Sequence, residues 1–178
     1  MEYHKGIIAI TKQGFRISAI VLDGRPGVRN LFGDIPVQMC HFHQKQIVQR
    51  YLTNNPKLEA GIELKKISDT LNDTSEKEFT DKIIKWNNKW CEFLKEKTYD
   101  IFNHKRWYYT HKRLRSAYRS LNINLPYLFT YQKYPELNIP NTTNSLEGSF
   151  SHLKEKVGIH RGLRLNIKKK IINQILIN

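Results

Sequence analysis

The sequence predicts an α/β chain that is predominantly helical, and three observations predict it. A short run rich in β-branched residues, 17–22, ends on a carboxylate, Asp23, which Gly24 and Gly27 follow. Apolar stripes with helical spacing then recur between residues 44 and 121, the pattern that lets a helix bury one face. A second carboxylate, Glu147, follows the N-cap-type residues Thr142, Thr143, Asn144 and Ser145 at the head of a further helical stripe. The order reads as a strand core into which a helical segment is inserted.

Composition bounds the partners. A chain of 178 residues that is 39% hydrophobic suffices for one core and a small second lobe. Thirty Lys and Arg against sixteen Asp and Glu leave a net charge of +14, which repels itself unless a polyanion offsets it. Nucleic acid is the leading partner, with the solubility of a basic protein as the bland alternative. Two cysteines, Cys40 and Cys91, make no disulfide framework, so a reducing cytoplasm fits. No apolar run approaches the roughly 20 residues of a membrane helix, and the first residues lack a signal-peptide apolar core. The sequence therefore predicts a soluble protein with no membrane partner.

Along the chain, Ile7, Ile8 and Ile10 precede Gly14, a glycine suited to end a short helix, although helix and strand both remain open there. Ile17, Ala19, Ile20, Val21 and Leu22 have the length and character of a buried strand. Open α/β sheets place their chemistry at the carboxyl ends of strands, where Asp23 falls; an Asp-Gly pair is equally ordinary turn chemistry. A second strand over 35–39 tolerates Pro36 at its start and runs into Cys40-His41-Phe42-His43, a Cys-x2-His spacing. A helix over 44–52 follows, carrying Ile47, Val48 and Leu52. Asn55-Pro56 then opens another, with Pro56 at its first position and Leu58, Ile62, Leu64, Ile67 and Leu71 as its stripe. Ser75-x-x-Glu78 is a capping box that opens a long helix striped by Phe79, Ile83, Trp86, Trp90, Phe93 and Leu94. Tryptophans that share a stripe with aliphatics read as core rather than as a stacking platform.

In residues 103–121, Lys105, Arg106, Lys112, Arg113, Arg115 and Arg119 are interleaved with Trp107, Tyr108, Tyr109 and Tyr118. That mixture suits a nucleic-acid backbone and exposed bases. It equally describes a solvated helix face opposite Leu114, Ala117, Tyr118 and Leu121, and both hold if the stripe packs while the basic face meets phosphate. Residues 122–140, rich in Pro, Asn and Tyr and without a period, read as a connecting loop. The next helix carries Phe150, Leu153 and Val157, with Glu147 in its first turn, where the helix dipole alone favours an acid. Residues 158–162 break it, adding His160 and Arg161 to the basic set, and a last helix over 163–177 places Lys168, Lys169 and Lys170 between isoleucines.

Two carboxylates, one at a strand end and one at a helix start, can share divalent metal, which is how enzymes that cut or join phosphodiesters hold the attacking and leaving oxygens. The ordered set Asp23-Gly24, Cys40-x2-His43, Thr143-Asn144-x-x-Glu147 and His160-Arg161-Gly162-Leu163 resembles the Mutator-like group of DDE transposases, which includes many bacterial insertion-sequence transposases. The resemblance covers nearly the whole chain. It implies an RNase H-like core with an all-helical insertion, divided into residues 1–43, a partial core with the second acid; 44–140, the insertion; and 141–178, the return to the core with the glutamate and a basic last helix.

By the same resemblance Asp23 matches the second catalytic acid and Glu147 the third, both ligands for Mg2+ or Mn2+, while Cys40 and His43 match a motif that follows the second acid. The activity implied is DNA binding with metal-dependent phosphodiester cleavage and strand transfer in transposition. The partners implied are transposon ends, target DNA, and a second copy or an intact transposase, in a bacterial cytoplasm close to the nucleoid. Glu2 is the only acid upstream of Asp23 and nothing around it matches the family's first acid. The expectation is therefore a carboxyl-terminal piece lacking the first core strands, which binds metal weakly and is inactive alone. A non-catalytic DNA-binding or transposase-interacting fragment is the alternative, and a compact RNase H-like nuclease a third. Half a zinc site at Cys40 and His43 needs four ligands, and no second pair has a matching spacing.

Overall fold

The computed structural model describes residues 2–25, 27–103, 105–159 and 162–177. The described chain is mostly helical, with four three-residue strands in two separate two-stranded sheets. It forms two compact units, Met1–Thr142 and Thr143–Asn178.

The first unit opens with helix α1, Glu2–Lys12, and Gly14 turns the chain beyond it at a φ of +86°. Strands β1 (Ile20–Leu22) and β2 (Val37–Met39) pair in parallel, with Ile20 beside Val37 and Leu22 beside Met39. Parallel strands need a crossover of about a dozen residues or more. Residues 23–36 supply it with one 3-10 turn, Arg29–Leu31, in place of a full helix. That turn is held by a small apolar cluster of Val28, Phe32 and Val37. It is also held by a polar chain: the Arg29 guanidinium donates to Asn124 Oδ1, Asn124 Nδ2 donates to Gln44 Oε1 at 2.6 Å, and Gln44 Nε2 donates to Ser120 Oγ at 3.2 Å.

Helices α2 (His41–Leu52), α3 (Glu59–Asp69) and α4 (Glu76–Lys95) follow. An antiparallel hairpin of β3 (Lys97–Tyr99) and β4 (Trp107–Tyr109) leads into α5 (Lys112–Leu128) and the short α6 (Thr130–Lys133). One core joins them. Val48 of α2, Leu64 of α3, Phe79 and Ile83 of α4, and Leu114 and Leu121 of α5 are all buried in it, and Met39 plugs the end of β2 into the same core. The capping box of α4 forms as its sequence predicts: Glu78 N–H donates to Ser75 Oγ at 3.3 Å and Ser75 N–H to Glu78 Oε2 at 3.2 Å. Trp86 is core, its Nε1 donating to Ala60 O at 2.9 Å and its ring stacked on Tyr118 at 5.2 Å.

Residues 122–140 are not the loop that their composition predicts. Helix α5 continues to Leu128 with Pro126 inside it, then α6 and a 3-10 turn, Pro135–Leu137, complete the stretch. A proline inside a helix costs about 3 kcal/mol through the lost N–H bond and the clash with the preceding turn. Leu121, Asn124 and Leu128, buried on one face, hold the last turns in spite of it. Pro56 likewise is not at a first helical position: α3 starts at Glu59 with Leu58 as N-cap. Pro56 lies instead against Gly61, where an added Cβ would come within 3.3 Å of the ring. The strands are shorter than their apolar runs, and α2 begins three residues earlier than its stripe, directly after Cys40.

The second unit pairs α7 (Asn144–Ile159) with α8 (Leu165–Ile177) across a turn in which Gly162 has a φ of +96°. Among the described residues no helix is long and apolar enough to cross a membrane.

Candidate active-site cleft and nucleic-acid face

Asp23 stands at the carboxyl end of β1, exposed, as the strand reading requires. Its Oδ1 accepts the Arg25 N–H at 3.0 Å, so the Asp-Gly turn and the strand-end position are one feature rather than alternatives. Gly24 follows with a φ of +87°, and a Cβ there would lie 2.6 Å from Met39 Cε. Only a glycine lets the chain turn so tightly over the end of β2. The ladder runs one residue beyond the paired strands, with Cys40 N–H donating to Leu22 O at 2.8 Å. Helix α2 starts at the next residue, which sets its first turn beside Asp23.

Asp23, Gly24 and Arg25 form one side of a cleft of about 410 Å³, and α2 lines the rest with His43, Ile47, Arg50 and Tyr51. Those α2 residues recur at i, i+4, i+7 and i+8, a single helical face. The Cys-x2-His pair therefore divides: Cys40 is fully buried, whereas His43 reaches the cleft. Arg25 and Arg50 are functional candidates that motif reasoning passed over. Arg50 carried a readable signal, lying seven residues after His43 on its own helix face.

Strand β2 and the start of α2 are tied to the end of α5 and to α6 by a buried polar network. Gln38, buried in β2, donates from Nε2 to Leu128 O at 2.8 Å and accepts the Tyr131 N–H at 3.0 Å. Thr130 Oγ1 donates to Val37 O at 2.7 Å. His41 Nε2 lies 2.6 Å from Leu128 O and its Nδ1 3.1 Å from the Asn72 amide. Burial is the largest influence on that ring and lowers its pKa, against the raising effect of the Leu128 and Asn72 hydrogen bonds. The Leu128 carbonyl can only accept, so His41 Nε2–H donates to it. His41 is a latch between α2 and the end of α5, not a ligand toward the cleft.

In the second unit Glu147 lies in the first turn of α7. Thr143 Oγ1 donates to Glu147 Oε1 at 2.6 Å, and Glu147 N–H donates to Thr143 O at 2.9 Å. This reciprocal pairing fixes the carboxylate's rotamer.

Six of the predicted basic residues are described. Lys105, Arg106, Lys112, Arg113 and Arg119 are exposed, and Arg115 is half-buried. Arg113 donates to Arg50 O at 2.8 Å, and Arg115 donates to Leu94 O at 2.6 Å while its guanidinium covers Tyr109 at 3.5 Å. Both therefore hold structure as well as charge. Lys95, Lys112, Arg115 and Arg119 line an open groove of about 720 Å³ between α4 and α5. His160 and Arg161 lie outside the described residues.

Among the described residues no group of three or more His, Cys, Asp and Glu converges. Asp23 nevertheless fits a hard cation: a carboxylate has about four lone-pair sites, and the Arg25 N–H occupies one. Arg25 and Arg50 make the cleft more receptive to a phosphate than to a bare cation. No family model, curated protein or solved structure matches the chain.

Proposed function

We propose that the chain is part of the catalytic core of a DDE-type transposase, RNase H-like in its strand core, and contributes to Mg2+- or Mn2+-dependent chemistry on DNA phosphodiesters without carrying it out alone. The observation that carries this reading is Asp23 at the carboxyl end of a parallel strand, in one cleft with His43, Arg25 and Arg50. The ordered motifs support it, and by their resemblance Glu147 is the second carboxylate of the metal centre.

In this reading Arg25 and Arg50 bind the scissile phosphate as charge-assisted donors. Asp23 would hold the divalent ion that accompanies that phosphate, and His43 would orient the substrate from the α2 side. An ion held there would supply Lewis-acid stabilisation of the attacking and leaving oxygens. The basic groove along α5 carries the DNA backbone beyond the site.

Calorimetric titration with Mn2+ tests the proposal. Weak binding that Asp23→Asn reduces, and that Glu147→Gln also reduces, supports it; binding unchanged in both variants removes the metal assignment. A second reading, DNA binding without catalysis, is favoured by the two arginines that surround a single acid in the cleft. It predicts duplex binding that is indifferent to Mn2+ and to Asp23→Asn.

A further inference from the structure

We propose that the tip of the β3–β4 hairpin is a wedge that inserts Phe102, with Ile101 beside it, between stacked base pairs of duplex DNA. The inference rests on the reading of the chain as DNA-binding. Phe102 is 98% exposed and Ile101 82% exposed. Burying a phenylalanine is worth about 1.5–3 kcal/mol, so two such side chains side by side at a tip leave stabilisation for a partner to supply.

The tip is built to display them. Asp100 Oδ1 accepts the Phe102 N–H at 2.8 Å and the Asn103 N–H at 3.2 Å. Asp100 N–H donates to Arg106 O at 3.0 Å, and Arg106 N–H to Asn103 O at 2.8 Å. The root is equally fixed. Thr110 N–H donates to Glu96 O at 3.0 Å, the His111 ring stacks on Phe93 at 3.7 Å, and Arg115 bridges Tyr109 and Leu94. A wedge transmits force only if it is rooted, and this hairpin is anchored to both α4 and α5.

The surroundings select the partner. Lys105 and Arg106, both exposed, follow the tip in the same loop, and at the root of the hairpin Lys97 lies over the Trp107 ring at 3.9 Å. The nearby acids are committed, Asp100 to the turn and Glu96 to His111 at 2.9 Å. An apolar tip set among cations is the composition by which proteins unstack and kink a duplex. A second copy of the chain, itself carrying +14, is repelled by the same cations.

A duplex carrying 2-aminopurine at a TA step, the step that opens most readily, reports the event, because the base brightens when unstacked. The wild-type chain at saturation is expected to raise the fluorescence. Phe102→Ala is expected to abolish most of that rise at an affinity loss of about tenfold or less, and Phe102→Trp to retain it. Phe102 is solvent-exposed, so its replacement leaves the fold intact. Duplex binding with no rise, or a rise that survives Phe102→Ala combined with Ile101→Ala, overturns the wedge and leaves the DNA reading standing. Failure to bind duplex at all overturns both. Self-association that Phe102→Ala removes identifies the tip as a protein-docking knob and overturns the proposal.

Discussion

Asp23 and His43 line the same cleft although one ends β1 and the other belongs to the first turn of α2. The parallel register brings them together: Leu22 sits beside Met39, so the residue after each strand emerges at the same edge. Gly24 and Met39 are the packing element of that edge, and the first prediction concerns them.

Gly24→Ala is expected to destabilise the chain more than Gly27→Ala. Both glycines have φ near +80°, at +87° and +79°, but only at Gly24 does an added Cβ meet a neighbour, Met39 Cε at 2.6 Å. The backbone strain common to both costs about 1–3 kcal/mol, and the difference isolates the contact with Met39. Urea midpoints of the two variants check it; equal losses would show that Met39 moves aside freely.

Stability is expected to fall on acidification through the His41 titration. The folded-state pKa of His41 is lowered from 6.5 by burial. The unfolded chain therefore takes up the proton first, so the stability is present above pH 6.5 and is lost as pH falls toward the folded value. His41→Gln keeps a donor for Leu128 O and removes the titration. Its urea midpoint should change less than wild type between pH 7.5 and about 5.5. Parallel pH profiles for the two proteins would assign the acid sensitivity elsewhere.

Replacing Lys112 and Arg119 with Ala is expected to flatten the salt dependence of duplex binding. Each phosphate neutralised contributes about −0.9 to the slope of log K against log salt, so the pair removes about two units if each meets one phosphate. These two line the α5 groove, and among the described residues neither donates to a backbone carbonyl as Arg113 and Arg115 do. Fluorescence anisotropy across salt concentrations measures the slope. An unchanged slope would make this face a solvated one.

Much of this architecture is legible in the sequence where local chemistry decides it. Ser75 and Glu78 announce α4, the Phe79-to-Leu94 stripe announces its buried face, and Thr143 with Asn144 announces the turn that holds Glu147. Asp23 is legible as a strand end because the apolar run before it stops there. The hairpin is not legible, since Lys97–Tyr99 and Trp107–Tyr109 are short, lack a two-residue glycine turn, and stand next to a true helix of similar composition. The helix through Pro126 is hidden for another reason. Proline outweighs any local pattern, and only burial of Asn124 and Leu128 against distant residues restores the helix. The cleft itself depends on Arg25 and Arg50, from two elements that only the parallel register brings to one edge.

In the proposed function the Asp23 carboxylate holds a divalent ion in this cleft. Paramagnetic broadening by substoichiometric Mn2+ in amide NMR spectra tests it most directly, because the ion erases signals only near where it sits. Gly24 and Arg25 and the first turn of α2 are expected to broaden before residues near the Lys89-paired carboxylates of Glu59 and Glu63, and Asp23→Asn is expected to abolish that broadening. Broadening centred on Glu59 and Glu63, or broadening at Gly24 and Arg25 that persists in Asp23→Asn, would contradict it.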